Sequence, residues 1–241
     1  IAGDNAGGSL IPGAGVTLTV NGPVSGLGDL WLENAGTAIL KGGTTHTGIT
    51  RVQSAGTLVL DAGAYTGMSQ LQVAANLNIL PGASITTGKF RMSDGGGGTT
   101  VVNQSGGSVT ATDATYAESN QNAVMLGHWN AATTYNLTGG TFNVPNAPVL
   151  LGWDGQVTWN IAGGTASIQG INGTARNNPA ALNLNAGGRL NIGSFGIAAL
   201  GTNKAINLNG GTLGASADWS TTKGMALTGT STINTLDSAD A

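Results

Sequence analysis

Residues 136–144, NLTGGTFNV, return as NIAGGTASI at 160–168 and as NLNGGTLGA at 207–215. In each copy an Asn stands four residues before the second Gly, and the second and fourth residues after that Gly are mostly apolar: Phe142 and Val144, Ala166 and Ile168, Leu213 and Ala215. Such alternation describes a β-strand with one buried face. The Gly supplies the positive φ that a sharp corner needs. Asn tolerates similar conformations, and its amide can bond to a neighbouring coil.

With the second Gly as anchor, the frame extends in looser form to Gly15, Gly36, Gly56, Gly82, Gly107, Gly140, Gly164, Gly188, Gly211 and Gly229. Asn103, Asn136, Asn160 and Asn207 precede their anchors by four residues, behind Val102, Tyr135, Trp159 and Ile206, so a second strand leads into each turn. The anchors are spaced 21, 20, 26, 25, 33, 24, 24, 23 and 18 residues apart, settling near 24 in the second half. A period of this size fits one turn of a solenoid. The expected fold is all-β, a right-handed parallel β-helix of about ten coils and roughly 45–50 Å in length, its hand following from the rule for parallel crossovers.

Two features depart from the frame. After Gly15 the apolar residues are Val16, Leu18 and Val20, and after Gly82 the best is Ile85, which predicts bulges or a shifted turn in those coils. Between Gly107 and Gly140 the step exceeds the period by 9 residues. The excess lies in ATDATYAESNQN, predicting a lateral loop over residues 111–122.

Composition agrees with stacking. The 241 residues include 42 Gly and 6 Pro, without a Gly-X-Y triplet, and only 8% are charged. Abundant Val, Leu, Ile and Thr argue for β pairing over a disordered linker. A net charge of −3 with no basic run offers no footprint for nucleic acid. No apolar stretch of about 18 residues is present, so membrane insertion by this segment is not expected. The absence of cysteine excludes disulfides and thiolate sites. Ile1 at the start and LDSADA at the end suggest one β-helix domain, residues 1–241, cut from a longer secreted protein whose signal has been removed.

Residues 36–60, GTAILKGGTTHTGITRVQSAGTLVL, resemble the autotransporter-associated β-strand repeat, with its two G-T-L-x-L ends around a T-x-T-G-x-T centre. ALGTNKAINLNGGTL at 199–213 is similar to a second hallmark of that family. The resemblance directly covers about 40 residues. It implies a passenger-type segment of a bacterial surface or secreted protein, serving as a stalk or in adhesion, outside the cell.

No reading of the residues favours catalysis. Acids are scattered, Asp113 and Asp154 being the nearest to the aromatic region, and His46 and His128 fall in different coils without a metal-binding spacing. Neither a cofactor nor a metal is expected. SDGGGGTT at 93–100 lacks the Lys and the helix of a phosphate loop and reads as a turn. Tyr135 and Trp159 share the phase of Leu137 and Ile161 and point inward, whereas Trp31 and Trp219 sit near opposite ends, placed either to cap the open coils or to bind.

The binding candidate comes from LGHWN at 126–130 and LGWDG at 151–155, one coil apart. Trp129 and Trp153 would form a platform for a sugar, with His128, Asn130 and Asp154 taking hydroxyls; the plainer alternative is that the indoles cover the turn. Three functions follow: a structural or adhesive segment, a carbohydrate-binding module recognising polysaccharide or a cell-surface glycan, or a filament subunit in which copies join end to end by β-strand addition.

Overall fold

The computed structural model describes residues 2–3, 7–53, 55–93, 98–117, 119, 121–129, 132–173, 176, 178–198 and 200–235. Their strands stack in parallel register on three faces, making a right-handed parallel β-helix. The first face holds ten strands among the described residues, from Thr17–Val20 through Gln156–Ile161 and Lys204–Asn209 to Ala226–Leu227. The second runs from the Val24–Thr44–Tyr65 bridges to Thr232–Thr235. The third runs from Gly8–Leu10 to the end of Arg189–Ile197. Residues 36–60 trace one full coil, from the first-face strand Thr37–Leu40 to its neighbour Thr57–Leu60.

Inside lies a continuous apolar column. Tyr135 and Trp159 are fully buried there and stack at 6.2 Å, as their phase predicts, and Phe90 and Phe142 close the cluster edge-on. The Tyr135 hydroxyl donates to Gln104 Oε1 at 2.6 Å, so the one polar atom of that ring is paired.

The glycine pairs have two separate physical reasons, seen clearly at Gly187-Gly188. Gly187 takes φ +79°, the left-handed region. Gly188 lies so close to the preceding coil that a Cβ would stand 2.2 Å from the Ile161 carbonyl oxygen.

The anchors do not occupy one corner throughout. Gly15, Gly36 and Gly56 lead into first-face strands, whereas Gly82 and its successors lead into second-face strands. Thr17–Val20 pairs evenly with Thr37–Leu40, and Ser84–Thr87 evenly with Ser108–Ala111, so neither strand is bulged. The turn is shifted instead: Leu18 pairs with Ala38 and Ile85 with Val109, which sets Gly15 and Gly82 one residue further from their strands than Gly36 and Gly107. Register shifts occur instead at Gln104/Ser105, Ser105/Ser108 and Ile168/Gly170.

The asparagines occupy mid-strand positions on the outer side of the first face, between buried neighbours, and not the corners. Amide donors from Asn103, Asn136, Asn160, Asn183 and Asn207 each reach the preceding Asn carbonyl oxygen at 2.8–3.1 Å, starting from Asn78.

The long coil places its extra residues between the second and third faces. Ala111 still ends a strand and is buried. The chain then lies flat against the third face. Arg91 Nη2 donates to the Asn122 carbonyl at 3.2 Å, Asn122 Nδ2 donates to the Val124 and Pro148 carbonyls, and the Asn172 amide donates to the Tyr116 hydroxyl. Strand alternation points Met125 and Leu150 away from the interior, yet both are buried without joining the interior core. Arg91, Met125, Leu150 and Asn172 form one outward column, and its two ends bond to Asn122 and Tyr116, so the insertion passes over the two apolar side chains between them.

Trp31 is also repositioned: it faces outward from the second strand of the third face, with the Arg51 guanidinium 4.8 Å over its ring, and caps no end. Trp219 packs against the core one coil beyond Gly196, closing the last rung of the third face.

Candidate functional site

Val124–Leu126 and Val149–Leu151 pair in register, and the pairing continues past both strands. Gly152 N donates to the Leu126 carbonyl at 2.7 Å and Trp153 N to the Gly127 carbonyl at 3.0 Å. The register therefore sets His128 level with Trp153, and Trp129 level with Asp154. The two LG turns align as the sequence indicates, with the indoles offset by one residue.

Trp129 is 55% exposed and holds φ +55°, unusual for a bulky residue. Its backbone N–H donates to Asp154 Oδ1 at 2.7 Å. The same oxygen stands 3.6 Å from His128 Nε2, and the His128 ring meets the Trp129 indole edge-on at 5.4 Å. His128 is buried, which leaves little of its ring open to a ligand. Trp153 is half-buried, with the Arg176 guanidinium 5.2 Å from its ring centre. Asn130 lies outside the described residues.

Below these turns stands a residue that sequence reasoning missed. Lys204 is buried and donates from Nζ to the carbonyls of Leu151 at 2.9 Å, Gly152 at 2.6 Å and Asn178 at 3.4 Å. Asn178 Nδ2 in turn donates to the Trp153 carbonyl at 3.4 Å. Lys204 thus ties together the corner that carries Trp153. A signal did exist: Lys204 alternates in phase with the inward Ile206 and Leu208.

An open groove of roughly 530 Å³, solvent mouth included, runs along the adjoining corner. Thr134, Thr158 and Ala181 form its floor, with Gln156, Pro179 and Asn203 at its rim. Its lining carries hydroxyl, amide and methyl groups and no charge.

Among the described residues, no group of three or more His, Cys, Asp or Glu side chains converges on a point that could hold a metal. Asp94 and the three glycines that directly follow it, Gly95, Gly96 and Gly97, lie outside the described residues. Among those described, no helix is long and apolar enough to cross a membrane. Asp113 is committed to the insertion: Oδ1 accepts from Thr115 N at 2.6 Å and Oδ2 stands 3.7 Å from Lys89 Nζ. Burial pushes its carboxyl up, but the hydrogen bonds from Thr115 and the charge of Lys89 together hold it below the usual range.

The chain matches no protein-family model, no curated protein and no solved structure. The class defined by the fold is the parallel β-solenoid.

Proposed function

We propose that this chain is a non-catalytic structural and adhesive segment of an extracellular bacterial protein, a passenger-type rod that gives reach and a repetitive surface. The asparagine ladder carries this reading. Five amide bonds link six successive coils on the outside of the first face, beyond the backbone ladder, which stiffens the stack along its axis. The resemblance of residues 36–60 and 199–213 to the autotransporter-associated repeat points the same way.

The test uses the natural lack of cysteine. Thr19 and Ala226 are exposed in one outward column, nine rungs apart on the first face, which corresponds to about 43 Å. Spin labels at Thr19→Cys and Ala226→Cys should give one narrow distance near that value by pulsed electron resonance. A broad distribution would remove the rigid-rod reading.

The exposed Trp129 indole beside an uncharged groove favours a second reading, a carbohydrate-binding module. A broad glycan array compares the chain with a Trp129→Ala/Trp153→Ala double variant. Binding that disappears in the variant assigns the ligand to this corner. The filament reading draws on Leu227 and Ile233, which continue interior columns yet are 65% and 68% exposed. Mass that rises with concentration in analytical ultracentrifugation, and falls back in a Leu227→Ser/Ile233→Ser variant, is its signature.

A further inference from the structure

We propose that the corner between the second and third faces carries a separate cleft for a neutral saccharide, completed by the insertion. Four observations converge on it. Tyr116, from the insertion, and Phe195, from the Arg189–Ile197 strand, stand 42% and 39% exposed. Their rings meet at 4.9 Å and 67°. An edge-to-face pair leaves at least one face of each ring uncovered by the other, so the cleft presents aromatic surface in two orientations. The apolar face of a sugar ring stacks on such a surface.

The polar groups beside the rings are neutral and already oriented. Gln169 Nε2 donates to the Pro145 carbonyl at 2.8 Å, and its Oε1 accepts from Ser194 Oγ at 3.4 Å. Asn146 Nδ2 donates to the Thr112 carbonyl at 2.8 Å. Each of these amides lines the cleft and keeps a second N–H and acceptor capacity. Pairs of donor and acceptor on one amide match vicinal hydroxyls. No charged side chain is among the lining residues, so an acidic ligand would meet no counter-charge.

Two glycines make room for these groups. A Cβ on Gly170 would stand 2.8 Å from Phe195 Cβ, and one on Gly193 would stand 2.6 Å from Gln169 Oε1. Tyr116 is held in turn by the Asn172 amide, so its ring is ordered before any ligand arrives. Asn146, Gln169 and Ser194 come from three successive coils, which orients the cleft along the rod and suits an extended oligosaccharide.

Calorimetric titration with cellohexaose, xylohexaose and mannohexaose, and with an oligogalacturonate as acidic probe, tests this cleft apart from the Trp129 corner. The expected result is binding of at least one neutral hexaose, weakened about tenfold or more by Phe195→Ala, by Tyr116→Ala and by Gln169→Ala, and unchanged by Ser84→Ala on the remote second face. Gln169→Ala removes a polar partner without touching the aromatic packing, and matched thermal melts separate lost binding from lost folding. Failure of all three neutral hexaoses, or stronger binding of the oligogalacturonate, overturns the proposal. So does loss in Trp129→Ala with none in Phe195→Ala, which would move the ligand to the indole corner.

Discussion

The Asp154 carboxylate accepts the backbone N–H of Trp129 from the preceding coil at 2.7 Å, and this bond holds an exposed indole in a left-handed backbone conformation. A non-glycine residue pays roughly 1–2 kcal/mol for that conformation. Asp154→Ala should therefore lower stability by about 1 kcal/mol, or about 2–4 °C in melting temperature, and loosen the indole. Trp129→Gly keeps the N–H and relieves the backbone, so its melting temperature should stay at or above that of Asp154→Ala. Differential scanning calorimetry on both variants decides the order.

Position in the ladder predicts cost. Asn160 takes part in two amide bonds, donating to Asn136 and accepting from Asn183, while Asn78 only accepts from Asn103. Asn160→Ala should cost about 1–2 kcal/mol and Asn78→Ala about half as much. Urea midpoints for the pair provide the comparison, and equal losses would mean that the amides act independently of the ladder.

Lys204→Met keeps the length of the side chain and removes the donor to three carbonyls at the Trp153 corner. The buried carbonyls left behind should cost about 2 kcal/mol. Lys204→Arg should also destabilise, because a planar fork does not fit a site shaped for a compact ammonium. Protease sensitivity around Leu151-Gly152 should rise in both variants.

Tyr65 gives an alkaline limit. Its buried hydroxyl donates to the Leu40 carbonyl at 2.5 Å. Burial first, and the nearby Asp61 charge second, push it up to about 12, against a backbone hydrogen bond at Asp61 that pulls the other way. Because the folded value lies above the ordinary 10.0, the neutral form contributes stability that is full below pH 10.0 and is lost as pH climbs toward about 12. Tyr135, fully buried, shifts in the same direction. Tyrosinate absorbance should appear together with loss of β-sheet dichroism, and Tyr65→Phe should move that transition to higher pH.

The insertion should release first in acid. Asp113 is held below its ordinary value, so its bonds to Thr115 and Lys89 are intact above the usual carboxylate range and are lost as pH falls through the lowered value. Asp113→Asn should expose the insertion at neutral pH. Limited proteolysis within 113–121, with dye binding at the uncovered Met125 and Leu150, measures that exposure.

Alternation of buried and exposed residues, glycine at tight corners and asparagines one coil apart are local or periodic constraints, and each coil repeats them. For that reason the sequence by itself determined the parallel β-helix, the number of coils, the interior stack of Tyr135 and Trp159 and the coil that holds the insertion. It also aligned the turns that carry Trp129 and Trp153. Contacts between coils depend on how many residues each coil spends between its faces, and that count changes along the chain. Only the tertiary structure decided which corner each glycine anchor occupies, that the insertion lies flat over Met125 and Leu150, that Arg176 covers Trp153 and that Lys204 braces its turn. Tyr116 and Phe195, 79 residues apart, meet only because the insertion crosses successive coils of the third face.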